Sequence, residues 1–574
     1  MSEGKRAVSA APSAAAPRPR LGAPGWPTPA FFAALAILVV AILLQCGYGL
    51  LGDVSWLITA DEKWLDGATP YADFIEINPP ASLILYWPAI ALARGIGLRP
   101  ELVVAAFGFA SVVAGLGLAW AVLKRAGLLD RFGPLAQSIA LIVFAVLPGH
   151  SFDERDHLAA IYGAPFLAVA AARAARAPVH PLLAALAGLG VGAMAAIKPP
   201  YALVAVAVLP YLVVRLGFAA RAAAVEYGAA AALGLAYVAM VPIVFPHYVS
   251  DVLPLGLAVY VPIREPLGAL VAAPGALMTV ALGAAAAKLA GRRLAEPLVA
   301  IPALAAVGAF AAYLIQGKGW IYQDYPAFAY VSLAVAAALA LRPQPPSRAA
   351  IGAFACVVAA LALKAIGQQP FVIVLVAAAA AGFLARRLEA ARGAPPLVEM
   401  GVAAALGVVG GLFVLNGVET PTIARALATL GPHPSVAAIS ESLAFGHPMT
   451  RRVGGVWAQS VPSLWITSAV RRLIDEHPGD AALAERLRPY VEADRDRLVA
   501  DLERNRPDAI LVGKLGTRFH DWAWSDPKIT AARAGYRLYA VEPGPAFPAE
   551  LYARDDLIAL RPTLREAGAE TVAP

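Results

Sequence analysis

Apolar residues fill long uninterrupted runs along most of this chain, and charged residues concentrate between the runs. A bilayer core about 30 Å thick needs roughly 20 consecutive apolar residues per helix, and the run at 31–51 meets that need. Further runs lie at 101–121, 135–148, 159–172, 182–197, 201–216, 224–245, 267–287, 298–315, 326–341, 349–366, 370–384 and 398–416. The pattern predicts an all-α polytopic membrane protein with about 13 transmembrane helices.

The composition supports a membrane protein. Of 574 residues, 60% are hydrophobic and 15% are charged, whereas soluble chains are about 45–50% apolar and about 25% charged. The net charge of +7 comes without a dense Lys/Arg run interleaved with aromatic residues, so no nucleic-acid partner is expected. The two cysteines, Cys46 and Cys356, each lie inside an apolar run and provide neither a disulfide framework nor a thiolate metal site.

The distribution of Lys and Arg predicts the orientation in the membrane. Alternate loops are basic, at 124–131, 173–176, 215–221, 288–293, 342–348 and 386–392, whereas the later loops between them hold about one basic residue each. The positive-inside rule therefore places the basic loops and the N-terminus in the cytoplasm. The short apolar run at 81–97, which carries Pro88 and Arg94, must then lie in the interface, because a second crossing there would reverse every later loop.

Three regions follow from these patterns. Residues 1–29 are rich in Ala, Pro, Ser and Arg and predict a disordered cytoplasmic tail. Residues 30–416 form the membrane domain, and the composition of 417–574 is that of a soluble domain. Short apolar runs at 436–440, 509–513 and 536–542 alternate with helical patterns there and predict a small α/β domain. Span parity places this domain outside the cytoplasm.

The first two external loops contain candidate acids. Asp53 follows the first span without an adjacent base, so partial desolvation suits it to take a proton from a hydroxyl. The other acids of this loop, which include Asp73 and Glu76, are equally explained as solvating groups. The second loop holds three acids and a histidine in the sequence DERDH at 153–157. That cluster suits Mg²⁺ or Mn²⁺, and a loop cap held by salt bridges is the alternative.

Isolated bases stand in three later external loops. They are Lys198, Arg264 and Lys318, and the last two lie near aromatic residues such as Tyr260, Trp320 and Tyr322. Preorganised cations stabilise an anionic leaving group where water is scarce. For Lys198 the alternative is a side chain that only anchors its helix by reaching the membrane surface.

The first external loop resembles the signature of the polyprenyl-phosphate-sugar glycosyltransferases of the GT-C fold, among them the aminoarabinose and protein O-mannosyl transferases. The matching residues are Asp53, Asp66-Gly67, Pro70-Tyr71, Asp73 and Asn78-Pro79-Pro80, followed by the interfacial helix at 81–97. Relatives often carry Asp-Glu where this chain has Asp53-Val54. The resemblance covers roughly residues 30–340.

The resemblance implies a GT-C membrane glycosyltransferase that moves a sugar from a polyprenyl-phosphate donor to a glycan, lipid or protein hydroxyl, with inversion. It implies a multi-pass protein of the bacterial inner membrane with a periplasmic C-terminal domain and a cell-envelope glycan or lipid as acceptor. Asp53 would be the general base, and Glu154 or Asp156 would be further catalytic acids. The resemblance implies that Lys198 contacts the donor phosphate, and the other candidate phosphate ligands are Arg264, Lys318 and Tyr322. The candidate substrate contacts are Tyr71, Asp73, Glu76 and His157.

The sequence leaves open the need for a metal ion, the role of the C-terminal domain and a rival function. No cofactor is required by the resemblance, although the second loop leaves a divalent cation as an alternative. The C-terminal domain either holds the acceptor or only covers the site. The rival function is a transporter or lipid flippase, which usually places charged or interrupted segments near the bilayer midplane. Here the charges lie at the ends of the spans, which favours the enzyme.

Overall fold

The computed structural model describes residues 29–342, 420–514, 517–542 and 548–560. The predicted tail at 1–29 falls almost entirely outside these ranges. The predicted spans at 349–366, 370–384 and 398–416 and the predicted domain boundary at 416–417 also fall outside them.

The first described range is helical. Its helices are α1 (Pro29–Tyr48), α2 (Gly52–Leu65), α3 (Ala81–Ile96), α4 (Pro100–Arg125), α5 (Leu129–Ala145), α6 (Arg155–Ala174), α7 (Pro181–Ile197), α8 (Ala202–Leu216), α9 (Ala224–Val244), α10 (Tyr248–Tyr260), α11 (Leu267–Ala272), α12 (Pro274–Ala290), α13 (Pro297–Gln316) and α14 (Tyr325–Ala340). Each apolar run predicted within this range is largely helical.

Seven helices of the described ranges are long and apolar enough to cross a membrane. The protein is therefore a multi-pass membrane protein, and the predicted number of 13 spans is not confirmed. Helix α3 has 16 residues and is among the shorter apolar helices. That length suits the interfacial position predicted for it.

One predicted span, at 267–287, is divided in the structure. Helix α11 ends at Ala272, and α12 begins at Pro274. Between them Ala273 is extended, with φ −58° and ψ 138°, because a residue that precedes proline is driven out of the helical region. The prediction of a continuous helix was wrong at this point.

Helix ends near the candidate loops follow from local sequence. Helix α13 begins with Pro297, whose missing N–H costs nothing in a first turn. It ends at Gln316, and the next residue, Gly317, has φ +69° and so adopts the left-handed conformation that favours glycine. At the start of α6, the side chain of Glu154 accepts a hydrogen bond from the amide of Asp156 and caps the helix.

The C-terminal region is an α/β unit. Its elements are α15 (Pro421–Thr429), β1 (Ser435–Ile439), α16 (Met449–Arg452), β2 (Val456–Trp457), α17 (Trp465–Glu476), α18 (Ala481–Asn505), β3 (Ala509–Gly513), α19 (Thr517–Ser525), α20 (Pro527–Ala532), β4 (Tyr536–Glu542), β5 (Ala549–Arg554) and α21 (Asp555–Leu560). The three predicted strands are confirmed as β1, β3 and β4.

These strands form one mixed sheet in the order β2-β1-β3-β5-β4. Strand β1 runs parallel to β2 and β3, with Val436 opposite Ala509. Strand β5 pairs antiparallel with β3 and β4, with Leu511 opposite Leu551. Every residue of β3 is buried, as expected for the central strand of a sheet with covered faces.

The C-terminal region packs directly on the first external loop. Arg451 donates from Nη2 to Glu62 at 3.0 Å and from Nε to Glu101 at 2.7 Å. The amide of Ile75 donates to the carbonyl of Ser460 at 2.9 Å. Because Arg451 is largely buried, these contacts fix the α/β unit over α2 and α4.

Candidate active site

A cavity of about 780 Å³ lies between the first external loop, the segment 318–322 and the C-terminal region. Asp53, Glu76 and Arg155 line it on the side of the bundle. Such a volume is in the range of small-molecule sites.

Asp53 lies in the first turn of α2, next to Gly52, which packs against the C-terminal region. The preceding residue must be small there, since a Cβ on Gly52 would lie 2.7 Å from Leu443 Cδ1 and 3.0 Å from the carbonyl oxygen of His447. The side chain of Asp53 is 21% exposed, and its Oδ1 lies 3.7 Å from Nη2 of Arg155. A carboxylate is thus held at the cavity wall beside a cation.

Arg155 joins the first two external loops. Its buried guanidinium also lies 3.2 Å from Oε1 of Glu154 and 3.4 Å from Oγ of Ser82. The interpretation that Asp53 has no adjacent base was wrong, because its partner comes from the second loop, far along the chain. The sequence alone gives Arg155 no role, although its position between Glu154 and Asp156 indicates that it pairs with carboxylates.

Asp156 and Lys198 form a second, buried pair next to Tyr322. Nζ of Lys198 lies 2.5 Å from Oδ2 of Asp156, and the hydroxyl of Tyr201 donates to the other carboxylate oxygen. Neither Lys198 nor Asp156 lines the cavity. Lys198 approaches it through Tyr322, whose ring centroid is 5.3 Å from Nζ and which does line the cavity.

Glu76 is a fixed acceptor in the cavity wall. Trp56 donates from Nε1 to Oε2 at 2.6 Å, and the amide of Asn78 donates to Oε1 at 2.8 Å. Burial raises the pKa of Glu76, while Arg155 and these hydrogen bonds oppose that rise. Glu76 lines the cavity, and its predicted contact with the substrate stays a prediction.

Of the other predicted phosphate ligands, Lys318 lines the cavity and Arg264 does not. Lys318 donates to the carbonyls of Tyr260 and Ile263 and lies 4.0 Å from the ring centroid of Tyr260. Burial lowers the pKa of Lys318 to about 8. Arg264 instead donates to the carbonyls of Ile315 and Leu314, at 2.8 and 2.9 Å, and so caps the C-terminal end of α13.

The remaining predicted substrate contacts hold loops together and do not line the cavity. The buried hydroxyl of Tyr71 donates to the carbonyl of Asn78 at 3.1 Å. Asp73 accepts from the amide of Thr69 at 2.7 Å. His157 is buried, with Nε2 2.7 Å from the carbonyl of Phe144. These contacts support the loops that carry Asp53 and Arg155, and direct substrate contact by these three residues stays a prediction.

The acids of the second loop do not converge on one point. Glu154 faces Arg155 and Asp156 faces Lys198. Asp153 presses against α4, since a Cβ on Gly108 would lie 1.5 Å from its Oδ1. Within the described ranges, no group of three or more His, Cys, Asp or Glu residues could hold a metal ion. The DERDH cluster therefore does not fit the divalent-cation site, and the salt-bridged alternative describes its contacts.

The C-terminal region supplies cavity residues that the sequence did not indicate. Glu441, His447, Arg452, Trp465 and Arg472 all line the cavity. The sequence does not predict these five residues as part of the site, because nothing in their local spacing connects them to the first loop. The buried ring of His447 lies between Trp56 and Trp457, at centroid distances of 5.7 and 4.5 Å. Burial lowers the pKa of His447 to about 3, so the imidazole is neutral at pH 7.

Comparison with solved structures identifies the architecture. The chain is similar to ArnT from Cupriavidus metallidurans in the apo state, with 15% identity over 92% of this chain and 98% of ArnT and a TM-score of 0.53. It is also similar to the same protein bound to undecaprenyl phosphate, with 14% identity over 91% and 97% of the two chains and a TM-score of 0.51.

A third likeness, with a TM-score of 0.41, is to the oligosaccharyltransferase AglB from Archaeoglobus fulgidus in complex with an inhibitory peptide and a dolichol-phosphate. Identity is 14%, over 91% of this chain and 74% of that one. No family model matches the chain, and no curated protein matches it. The agreement with ArnT over nearly the whole of both chains shows that this membrane protein has the GT-C fold.

Proposed function

We propose that the chain is an integral membrane glycosyltransferase that moves a sugar from a polyprenyl-phosphate donor to an acceptor hydroxyl. The observation that carries this proposal is the pair of Asp53 and Arg155 at the wall of a cavity of about 780 Å³. The cavity lies within the fold of ArnT, which is bound to undecaprenyl phosphate in one of its structures. The sequence resemblance had assigned the base to the same residue.

In this reaction the acceptor oxygen attacks the anomeric carbon from the face opposite the phosphate, so the anomeric configuration inverts. The new carbon–oxygen bond forms as the bond to the phosphate oxygen breaks, and the electron pair leaves with the phosphate. Asp53 takes the proton of the acceptor hydroxyl, for which its partly exposed carboxylate is suitably placed. Arg155 holds Asp53 in position across the two loops.

The leaving phosphate gains negative charge and needs cations or hydrogen-bond donors around it. Arg155, Lys318 and Tyr322 line the cavity and are the groups best placed for this role. A lysine ammonium has three hydrogen-bond donors. Lys318 uses two of them on backbone carbonyls, which leaves one for a phosphate oxygen. In this proposal Lys198 acts on the phosphate across the ring of Tyr322. Arg264 caps α13 and so supports the following loop, which carries Lys318 and Tyr322.

The function is tested by turnover of purified protein in proteoliposomes that contain an undecaprenyl-phosphate-linked sugar and a cell-envelope extract as acceptor source. We expect release of undecaprenyl phosphate together with a glycosylated product of inverted anomeric configuration. Donors that carry different sugars are tried in parallel. A lipid that crosses the bilayer chemically unchanged, without release of undecaprenyl phosphate from any donor, would instead indicate a transporter or flippase.

We further propose that transfer takes place on the periplasmic side of the bacterial inner membrane. The C-terminal region packs on the loop between α1 and α3, so both lie at the same end of the bundle, and the basic loops belong to the cytoplasmic end. In a variant whose Cys46 and Cys356 are replaced by Ser, a cysteine in place of Asp521, whose side chain is 78% exposed, should react with an impermeant maleimide added to spheroplasts. A cysteine in place of the exposed Lys124 should react only after lysis, and the opposite pattern would overturn the orientation.

A further inference from the structure

Helix α17 of the C-terminal region turns one of its faces toward the cavity. The residues on that face follow one another at helical spacing and are Trp465, Ser468, Ala469 and Arg472. Positions i, i+3, i+4 and i+7 share one side of a helix. The neighbouring face is fixed by packing against α10, in an apolar cluster formed by Leu255, Val259, Ile466, Val470 and Leu473. The cavity face of α17 is therefore a rigid wall.

Aromatic rings extend this wall across the cavity. The ring centroid of Tyr260 lies 6.0 Å from that of Trp465 and 6.2 Å from that of Trp320. All three rings line the cavity, and Trp320 is 43% exposed. The negative face of an aromatic ring attracts polarised C–H groups, and such groups cover one face of many sugar rings.

Polar groups stand beside the aromatic rings at the same wall. Oε2 of Glu441 accepts a hydrogen bond from Oγ of Ser468 at 3.2 Å. Arg472 forms ion pairs through Nη1 with Glu265 at 2.9 Å and through Nε with Glu476 at 2.7 Å. These two contacts fix the orientation of its planar guanidinium. Planar carboxylates and guanidinium groups bind neighbouring hydroxyls with defined geometry.

The spacing along α17 leaves room for a ring. Trp465 and Arg472 lie two helical turns apart, which is about 10 Å along the helix axis. The two lining residues between them are small, Ser468 and Ala469. A sugar ring can therefore lie across the helix, between an aromatic side chain and a charged one.

We infer that this wall is the acceptor subsite and that it binds a carbohydrate ring, as part of a free glycan or of a glycolipid head group. The inference rests on the proposed function and selects one acceptor class among glycan, lipid and protein hydroxyls. Asp53 lines the same cavity from the side of the bundle, so an acceptor sugar held on α17 can present a hydroxyl to it. A peptide hydroxyl would make little use of an extended aromatic wall flanked by Glu441 and Arg472.

The test is saturation-transfer NMR on the full chain in lipid nanodiscs, without donor. The probes are soluble hexose, deoxyhexose and N-acetylhexosamine oligosaccharides, a Ser/Thr-containing peptide, and detergent-solubilised lipopolysaccharide as competitor. We expect transfer to the ring C–H protons of at least one saccharide and none to the peptide. Displacement of the bound saccharide by lipopolysaccharide would identify a glycolipid head group as the source, and its failure to compete would identify a free glycan.

Ser468→Tyr fills the wall and should weaken saccharide binding about tenfold or more, the equivalent of one good contact. Arg488→Ala is the matched control, because Arg488 lies on α18, is 61% exposed and does not line the cavity. Binding of undecaprenyl phosphate, measured on the same samples, should be unchanged in both variants.

The two proposals fail in different ways. If the wild-type protein binds undecaprenyl phosphate but no saccharide, or if Ser468→Tyr binds saccharides as well as wild type does, the acceptor inference is overturned and the proposed function stands. If turnover and lipid binding are both absent while the saccharides bind, the proposed function is overturned instead.

Discussion

Asp53→Asn should reduce sugar transfer by about 10²–10⁴-fold, which is the usual contribution of a general base. The amide keeps the shape of the carboxylate but cannot accept the proton of the acceptor hydroxyl. The variant should fold normally, since Asp53 is partly exposed and its contact with Arg155 is long, at 3.7 Å. The measurement is the initial rate of undecaprenyl phosphate release in proteoliposomes, together with the affinity for undecaprenyl phosphate, which should change little.

Asp66→Asn is the matched control for this variant. Asp66 follows the last turn of the same helix, and its side chain is 69% exposed and paired with Arg94. An exposed ion pair contributes about 0–1 kcal/mol, so neither stability nor transfer should change measurably. Full activity of Asp53→Asn beside an equally active Asp66→Asn would exclude Asp53 as the base and would direct attention to Glu76, the other first-loop carboxylate at the cavity.

The features that the sequence predicted well are those encoded locally. Helices α1, α3 to α9, α13 and α14 follow from apolar runs whose length and composition need no tertiary information, and strands β1, β3 and β4 follow from short apolar runs between turn residues. The break at Pro274 was also local and could have been read from the residue pair Ala273-Pro274. The first-loop signature directed attention to Asp53, which lines the cavity. The catalytic role of Asp53 and the interfacial position of α3 stay predictions.

The features that the sequence did not predict depend on contacts between distant segments. Asp53 and Arg155 meet because α3 and the second loop bring them together, and no spacing along the chain records that contact. The cavity wall on α17 depends on how the C-terminal region packs against α10. Lys198 was expected to meet a phosphate because it is an isolated base in the sequence, whereas in three dimensions Asp156 is its partner.

That partnership makes Lys198 the site of the largest expected loss of stability. Asp156 is fully buried, and the side chain of Lys198 is 11% exposed. Removing one member of a buried ion pair typically costs about 3–5 kcal/mol, because the other charge is left uncompensated. Lys198→Met should therefore lower the thermal unfolding temperature of the detergent-solubilised protein clearly, even though Tyr201 still donates to Asp156.

The double variant Lys198→Met/Asp156→Asn separates the structural role of Lys198 from its predicted role at the donor phosphate. Replacing both charges removes the uncompensated carboxylate, so most of the lost stability should return. An unfolding temperature of Lys198→Met equal to that of wild type would contradict the buried pair. In the stable double variant, wild-type affinity for undecaprenyl phosphate would show that Lys198 acts through Asp156 alone. Weakened affinity would show that its charge reaches the phosphate, because the cation is then missing from a site where little water can replace it.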